Sequence, residues 1–265
     1  MNLGLAGRAC LVTGASRGIG RATARALCAE DAAVLLVARG EDALRSAAKD
    51  CAAGGGRADW LALDATEPGA AERLVGECEK RFGRLDVLVN NAGTSAVRPL
   101  EDLTDGDWQE QWELNVLGPM RLMRAAAPRM AERGFGRIVN VCSSSGKRPS
   151  LTNPAYSVTK AAQLSLSRTF ADAYASKAVL VNAVAPGPVE SSLWMREGGL
   201  ADQHAKARGI TKEEALEAQR SRIPLGRFGS EEEIAAVVVF LCSERASNVT
   251  GAAWSVDGGA VPVII

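Results

Sequence analysis

The sequence predicts an α/β protein built on one doubly wound parallel sheet of about seven strands with helices on both faces, and three observations predict it. Short apolar runs of strand length alternate with longer amphipathic stretches along the whole chain. The strand runs are largely apolar at successive positions, which suits a sheet covered on both sides. No Pro/Ser-rich linker, repeat or charge block divides the chain, so residues 1–265 are expected to form a single domain.

The first strand, 9–12, leads through a glycine-rich turn into a helix at 19–29, and strands at 33–38 and 58–63 lead to helices at 42–51 and 68–82. After the fourth strand, 87–90, comes an unusually long helical stretch at 107–133; after the fifth, 137–142, another at 154–175. The sixth strand, 179–184, is followed by a charged, helix-prone segment at 193–222 that breaks the alternation, before a helix at 231–242 and a last strand at 253–256. Right-handed crossovers at each step put the ligand site outside the carboxyl ends of the strands. The inserted segment, at about 190–225, is the natural candidate for a substrate lid.

Lys+Arg and Asp+Glu each total 31, so no global field attracts nucleic acid or an anionic membrane. No apolar run approaches the ~18 residues of a membrane span and the first residues lack a signal-peptide layout, which makes the cytoplasm the expected location. Six cysteines lie in apolar surroundings without a C-x-x-C, reading as reduced, buried thiols rather than disulfides or a metal cage. No cluster of His, Cys and carboxylates points to a metal, and His204, the only histidine, reads as a surface residue of the lid.

Directly after the first strand, Thr13-Gly14-Ala15-Ser16-Arg17-Gly18-Ile19-Gly20 opens a helix, the context a dinucleotide-binding loop of the Rossmann type requires. Gly14 permits the tight turn, Gly18 lets the backbone approach a pyrophosphate, and Gly20 lets helix and strand pack closely. The helix start then offers free N–H groups and a partial positive charge to phosphate oxygens. An NAD site needs an acid about 20 residues past the glycines, and the second strand ends instead on Arg39. Arg39 and Arg17 either clamp a 2′-phosphate or are solvated surface arginines; the clamp favours NADP(H), while Glu41 and Asp42 nearby leave NAD(H) open. Asp64 is placed to accept from an adenine amino group. Asn90-Asn91-Ala92-Gly93 closes the fourth strand, where Asn91, Ala92 and Gly93 line the cofactor cleft and Asn90 is equally suited to stitching strands.

These features, with Asn115 in the long helix, Ser143 after the fifth strand, Tyr156-Ser157-Val158-Thr159-Lys160 as Y-x-x-x-K, and Pro186-Gly187 after the sixth strand, resemble the short-chain dehydrogenase/reductase family over nearly the whole chain. Ile223-Pro224-Leu225-Gly226-Arg227 and Val256-Asp257-Gly258-Gly259 look like the 3-oxoacyl-carrier-protein reductases in particular, a pattern shared by relatives with other substrates. The resemblance implies hydride exchange between NADP(H) and a carbonyl or secondary alcohol, on a 3-oxoacyl thioester or on another ketone, steroid or sugar alcohol.

The chemistry follows from the residues as well. Tyr156 and Lys160 stand at i and i+4, on one face of a helix. A free phenol has a pKa near ~10, and a cation ~4 Å away at an effective dielectric of ~20 is worth about 4 kcal/mol, so Lys160 and a positive nicotinamide are expected to bring Tyr156 into working range as general acid/base. Ser143 hydrogen-bonds the substrate oxygen as its charge develops. Ser144 and Ser145 are rivals, between which the family spacing selects Ser143. The resemblance makes Asn115 the holder of a water that re-supplies the proton through Lys160, and makes Val189 and Ser191 nicotinamide contacts beside Pro186 and Gly187, although Pro188 is an unusual insertion there.

The substrate pocket is expected between Thr94, Ser95, Ser150, Leu151, Asn153 and the lid start at Leu193, Trp194 and Met195, the last two being equally suited to a core. Trp108, Trp112, Ala161, Leu164 and Ala171 offer more apolar helix surface than one domain needs, and with the tail 261–265 they predict a homotetramer of the kind the family forms. Two rival readings are a catalytically silent NADP(H)-binding redox sensor, for which an intact Ser143, Tyr156 and Lys160 set is superfluous, and a dehalogenase or dehydratase, for which the intact glycine loop is atypical.

Overall fold

A computed structural model describes residues 2–262, and within them seven strands form one parallel sheet in the order β3-β2-β1-β4-β5-β6-β7. They are β1 Ala9–Thr13, β2 Ala33–Ala38, β3 Arg57–Ala62, β4 Val87–Asn90, β5 Gly136–Val141, β6 Val179–Pro186 and β7 Ala253–Val256. Every neighbouring pair is parallel. Strand order reverses between β1 and β4, and at such a point the flanking loops diverge and leave a crevice at the carboxyl ends.

The strands read as apolar runs because both faces are covered. Along β1, Cys10 and Val12 point into one layer with Leu27, Leu36, Ile234 and Val238. Ala9 and Leu11 point into the other with Leu74, Leu88, Met123, Ile138 and Val181. Alternation is present but both sides of it are core.

The helices are α1 Gly18–Ala29, α2 Glu41–Ala53, α3 Ala70–Phe82, α4 Asp105–Trp112, α5 Gly118–Glu132, α6 Pro154–Tyr174, α7 Ser192–Met195, α8 Leu200–Arg208, α9 Lys212–Arg220 and α10 Glu231–Cys242. The single helix expected at 107–133 is corrected in two respects. It starts earlier, because Thr104 Oγ1 accepts from the Asp107 N–H at 3.3 Å while the Asp107 carboxylate accepts from the Thr104 N–H at 2.9 Å, a reciprocal cap. It is also interrupted by a π-helical turn at Glu113–Leu117, in which the Gly118 N–H donates to the Glu113 carbonyl. Pro119 helps to explain the interruption: it has no N–H to give to the carbonyl four residues back, that of Asn115.

The segment that breaks the βα alternation folds as α7, α8 and α9 around its own small apolar cluster of Ala201, Leu216 and Phe228, against which Trp194 and Met195 pack. Ala171, expected on a face left over for a partner, is instead buried in the chain's own core, whereas Val158 on the same helix is 45% exposed. The last three residues of the 261–265 tail lie outside the described residues.

Across the sheet, Asn90 and Asn140 are register partners on β4 and β5. Asn90 Nδ2 donates to Asn140 Oδ1 at 2.8 Å and Asn140 Nδ2 donates to Ser167 Oγ on α6 at 2.8 Å. Asn90 thus takes the stitching role. Asn140→Ala should leave the buried Asn90 amide without its acceptor and Ser167 Oγ without one of its two bonds, and lower unfolding free energy by about 2 kcal/mol, read as a fall in the urea midpoint with the slope unchanged.

Candidate active site

The turn between β1 and α1 is shaped by what its glycines leave out. Gly14 and Gly18 have φ of +65° and +63°, which side chains rarely adopt. A Cβ on Gly20 would stand 2.4 Å from both Asn91 Nδ2 and the Gly14 carbonyl, so the helix can start this close to β1 only without one. Thr13 Oγ1 accepts from the Asn91 and Ala92 N–H groups at 3.0 and 3.1 Å, and the Asn91 amide donates to the Thr13 and Gly14 carbonyls at 2.9 and 3.2 Å. Asn91, expected among the cofactor contacts, therefore directs its amide to framing the loop. Ser16 and Ile19 are half-buried in the same turn, Ile19 packing on the core.

No side chain caps the start of α1 and no acid lies in its first turn, so its N–H groups and dipole are left for an anion. Arg17 lines a cavity of about 350 Å³ there with Gly18, Arg21, Arg25, Ser192 and Glu231. Arg21 pairs with Asp50 and Arg25 with Glu232, whereas Arg17 makes no ion pair among the described residues. Arg39 is 82% exposed and reaches Asp64 only at 4.0 Å. Asp64 Oδ1 accepts from the Thr66 N–H at 2.9 Å and hydroxyl at 2.7 Å. Burial works against its charge, but those bonds and Arg39 hold the carboxyl below its ordinary range. An uncapped helix start, left-handed glycines and two underused arginines fit a phosphorylated dinucleotide.

Ser143 lies two residues past β5 in extended backbone, and its Oγ accepts from the Ser145 N–H at 3.1 Å. Pro154 at the first position of α6 starts the helix that carries Tyr156 and Lys160. The Ser143 hydroxyl lies near enough to the Tyr156 phenol to favour its ionised form. Lys160 Nζ is 5.6 Å from the centre of the tyrosine ring and donates to the Val141 carbonyl at 3.0 Å and to Gln163 Oε1 at 2.8 Å. A Cβ on Gly146 would meet the Lys160 backbone at 2.8 Å, so that glycine is what lets the Ser143 turn close onto α6.

Asn115 is fully buried, its Nδ2 donating to Gln111 Oε1 at 2.9 Å and Thr159 Oγ1 at 3.2 Å, while its Oδ1 has no partner. The point where a Gly93 Cβ would sit is 3.4 Å from that Oδ1 and 3.6 Å from Lys160 Nζ. Asn115, Lys160 and the bare face of Gly93 therefore border one small space.

The electrostatics differ from the expectation. Burial pushes the Tyr156 phenol up to about 12, opposed by the Ser143 hydroxyl, and burial pushes Lys160 down to about 8. In the protein by itself the tyrosine is held neutral rather than acidified, because loss of water outweighs the opposing effect of the Ser143 hydroxyl.

After β6, Gly187 donates to the Val256 carbonyl at 3.0 Å, and a Cβ on it would lie 2.8 Å from the Asp257 Cα. The inserted Pro188 is accommodated: its carbonyl accepts from Gly229, and buried Val189 bridges to the same residue. Ser191 begins α7. Where the substrate pocket is expected, Asn153 Nδ2 donates to Ser95 Oγ at 2.9 Å, the Val97 N–H to Gln203 Oε1 at 2.8 Å and the Arg98 N–H to the Thr152 carbonyl at 2.8 Å. The loop after β4 is thereby tied both to the turn before α6 and to α8. Leu151 is 91% exposed at the rim. Trp194 stacks on His204 at 5.5 Å and meets Phe228 edge-on at 5.1 Å. His204, expected at the surface, is half-buried because that indole covers it, and burial with Arg208 and Arg222 nearby lowers its pKa.

Sequence reading does not single out Thr13, Gln163 or Pro119. Pro119, four residues after Asn115, is a signal legible in the sequence; a Gln three residues after Lys160, on the same helix face, is another. Among the described residues, no three His, Cys, Asp or Glu side chains are grouped to hold a metal and no helix is long and apolar enough to cross a membrane.

A family model described as enoyl-(acyl carrier protein) reductase matches residues 14–261. The 3-oxoacyl-[acyl-carrier-protein] reductase of Thermotoga maritima is 35% identical over 259 residues, 97% of this chain and 99% of that protein. A cis-4-hydroxycyclohexanecarboxylate dehydrogenase of Sinomonas cyclohexanicum is 37% identical over 262 residues, 98% of each. The crystal structure of L-sorbose reductase from Gluconobacter frateurii, complexed with NADPH and L-sorbose, superposes with a TM-score of 0.93 at 36% identity, covering 100% of both chains.

The buried ammonium has a consequence for stability. Lys160 titrates at about 8 in the folded chain against 10.5 for an ordinary lysine, so between those values the unfolded chain binds more protons and stability rises with pH. The whole window is worth about 3 kcal/mol. Urea unfolding at pH 7.5 and 10 should show most of that rise in the wild type relative to Lys160→Met.

Proposed function

This chain belongs to the short-chain dehydrogenase/reductase family, and from that we propose an enzyme that interconverts a ketone and a secondary alcohol with NADP(H), Tyr156 exchanging the proton. The observation that carries the proposal is the gathering of Ser143, Tyr156 and Lys160, with the buried Lys160 Nζ 5.6 Å from the centre of the tyrosine ring.

In the reducing direction the substrate carbonyl oxygen is taken up by the Ser143 hydroxyl and the Tyr156 phenol. Tyr156, kept neutral by burial, donates its proton as negative charge develops on that oxygen. The hydride is supplied by bound NADPH, or taken up by NADP⁺ in the reverse reaction. Lys160 stabilises the phenolate left behind, and the space bordered by Lys160, Gly93 and the Asn115 Oδ1 is where a water re-supplies the proton. Gly14, Gly18 and the start of α1 receive the pyrophosphate, Arg17 and Arg39 the 2′-phosphate, and Pro186, Gly187, Val189 and Ser191 the nicotinamide end.

A 3-oxoacyl thioester is the substrate class supported by the relatives that are 3-oxoacyl-carrier-protein reductases. A second class, polyhydroxy ketones, is supported by the full-length match to L-sorbose reductase together with the hydroxyl-and-amide wall of Ser95 and Asn153. The exposed Val158 and Trp112 on neighbouring helices support a homotetramer, and six buried free thiols suit a reducing cytoplasm. The silent-sensor reading is set aside, since binding alone has no use for a lysine held charged out of water.

Turnover of 3-oxoacyl thioesters and ketoses, followed by NADPH absorbance, should identify one class and fall by about 10²–10⁴ in Tyr156→Phe. Activity surviving that substitution would refute the mechanism. Arg39→Asp should raise the KM for NADPH about tenfold or more while leaving or improving that for NADH, and an unchanged preference would remove the arginines from cofactor selection. Light scattering at micromolar concentration should give the mass of four chains; a monomer contradicts the assembly.

A further inference from the structure

Of Lys160's three N–H donors, two are engaged inward, by the Val141 carbonyl at 3.0 Å and by Gln163 Oε1 at 2.8 Å. Lys160 and Gln163 are 2% and 1% exposed, so the amide oxygen is the one side chain that takes over from water in solvating this ammonium among the described residues. Gln163 stands three residues after Lys160, on the same buried face of α6. Both acceptors are neutral. A carboxylate in that place would hold the ammonium as well but would cancel the field it exerts on Tyr156, whereas an amide keeps the lysine charged and leaves the field intact.

We propose that Gln163 is a positioning residue for the proposed reaction: its amide oxygen holds Lys160 both in place and in its cationic state, so that the positive charge is available to the Tyr156 phenolate. The inference rests on the catalytic reading given above. Other groups facing the ammonium do not substitute for it. Cys142 on the β5 side is held neutral by burial, its thiol pushed up to about 12. Tyr156 is neutral for the same reason, and Asn115 is uncharged.

The test compares Gln163→Leu and Gln163→Glu with the wild type, first in the cofactor-free protein by NMR titration of ¹³C-labelled lysine side chains, with Lys160→Met to assign the signal. Loss of a charge-assisted hydrogen bond should lower the Lys160 midpoint by about one pH unit in Gln163→Leu. A carboxylate should raise it in Gln163→Glu. The alkaline limb of the kcat profile should move in the same two directions, with KM for the ketone changed less than twofold. If the leucine variant does not fold, the upward shift in Gln163→Glu decides alone. A Lys160 midpoint unmoved in the folded variants overturns the inference. So does a midpoint that moves while the kcat profile stays put and Tyr156→Phe remains inactive. An active Tyr156→Phe overturns the catalytic reading instead, and the NMR shifts then stand apart from it.

Discussion

In the proposed reaction Lys160 has to be charged in a place that water does not reach, and much of the local architecture reconciles those two demands. An ammonium withdrawn from water loses several kcal/mol of solvation unless its protons find acceptors. Val141 supplies one from the last residue of β5 and Gln163 one from α6 itself. The strand and the helix must meet closely for this to happen. Gly146 is the concession that permits it, since any side chain there would run into the backbone of Lys160. Gly93 is a second concession, leaving open the space between the ammonium and Asn115. The residual strain of the arrangement falls on stability rather than on geometry, as is common where a fold carries a reactive group.

The cofactor side obeys a different constraint, one of close approach. Thr13, Gly14, Gly20 and Asn91 interlock so tightly that the hydroxyl of one residue serves two backbone N–H groups and the amide of another serves two carbonyls. The crevice between β1 and β4 is therefore braced from within at the switch point, and the first turn of α1 is left with its N–H groups uncommitted. Rigid frame and free donors are both needed to receive an anion without reorganisation.

Much of this was legible before any coordinates. Apolar strand runs, the spacing of Gly14, Gly18 and Gly20, and the i, i+4 pairing of Tyr156 with Lys160 are local patterns, and local patterns survive folding. What was not legible depends on which distant residue arrives next to which. The direction in which Tyr156 is shifted turns on how much water is lost around it, a sum over β5, α6 and the loop after β4. His204 is half-buried because Trp194, ten residues earlier in another helix, lies flat across it. Periodicity alone puts Ala171 on a leftover face, because it does not reveal which side of a long helix meets the sheet. The π-helical turn is an intermediate case: Pro119 announces a missing donor, but only the structure shows the backbone answering it with a wider turn at Asn115.

The α7–α9 segment is nearly a small body of its own, with a private apolar cluster and a reciprocal cap at Thr211 and Glu214, joined to the sheet through a few discrete ties such as Gln203 to Val97. Neither Tyr156, Lys160 nor the glycine turn lends a side chain to that cluster. Selection can thus remodel this segment while the surroundings of Tyr156, Lys160 and the glycine turn stay constant. A chain partitioned in this way is suited to diversification, with recognition and chemistry able to change hands at different rates within a single domain.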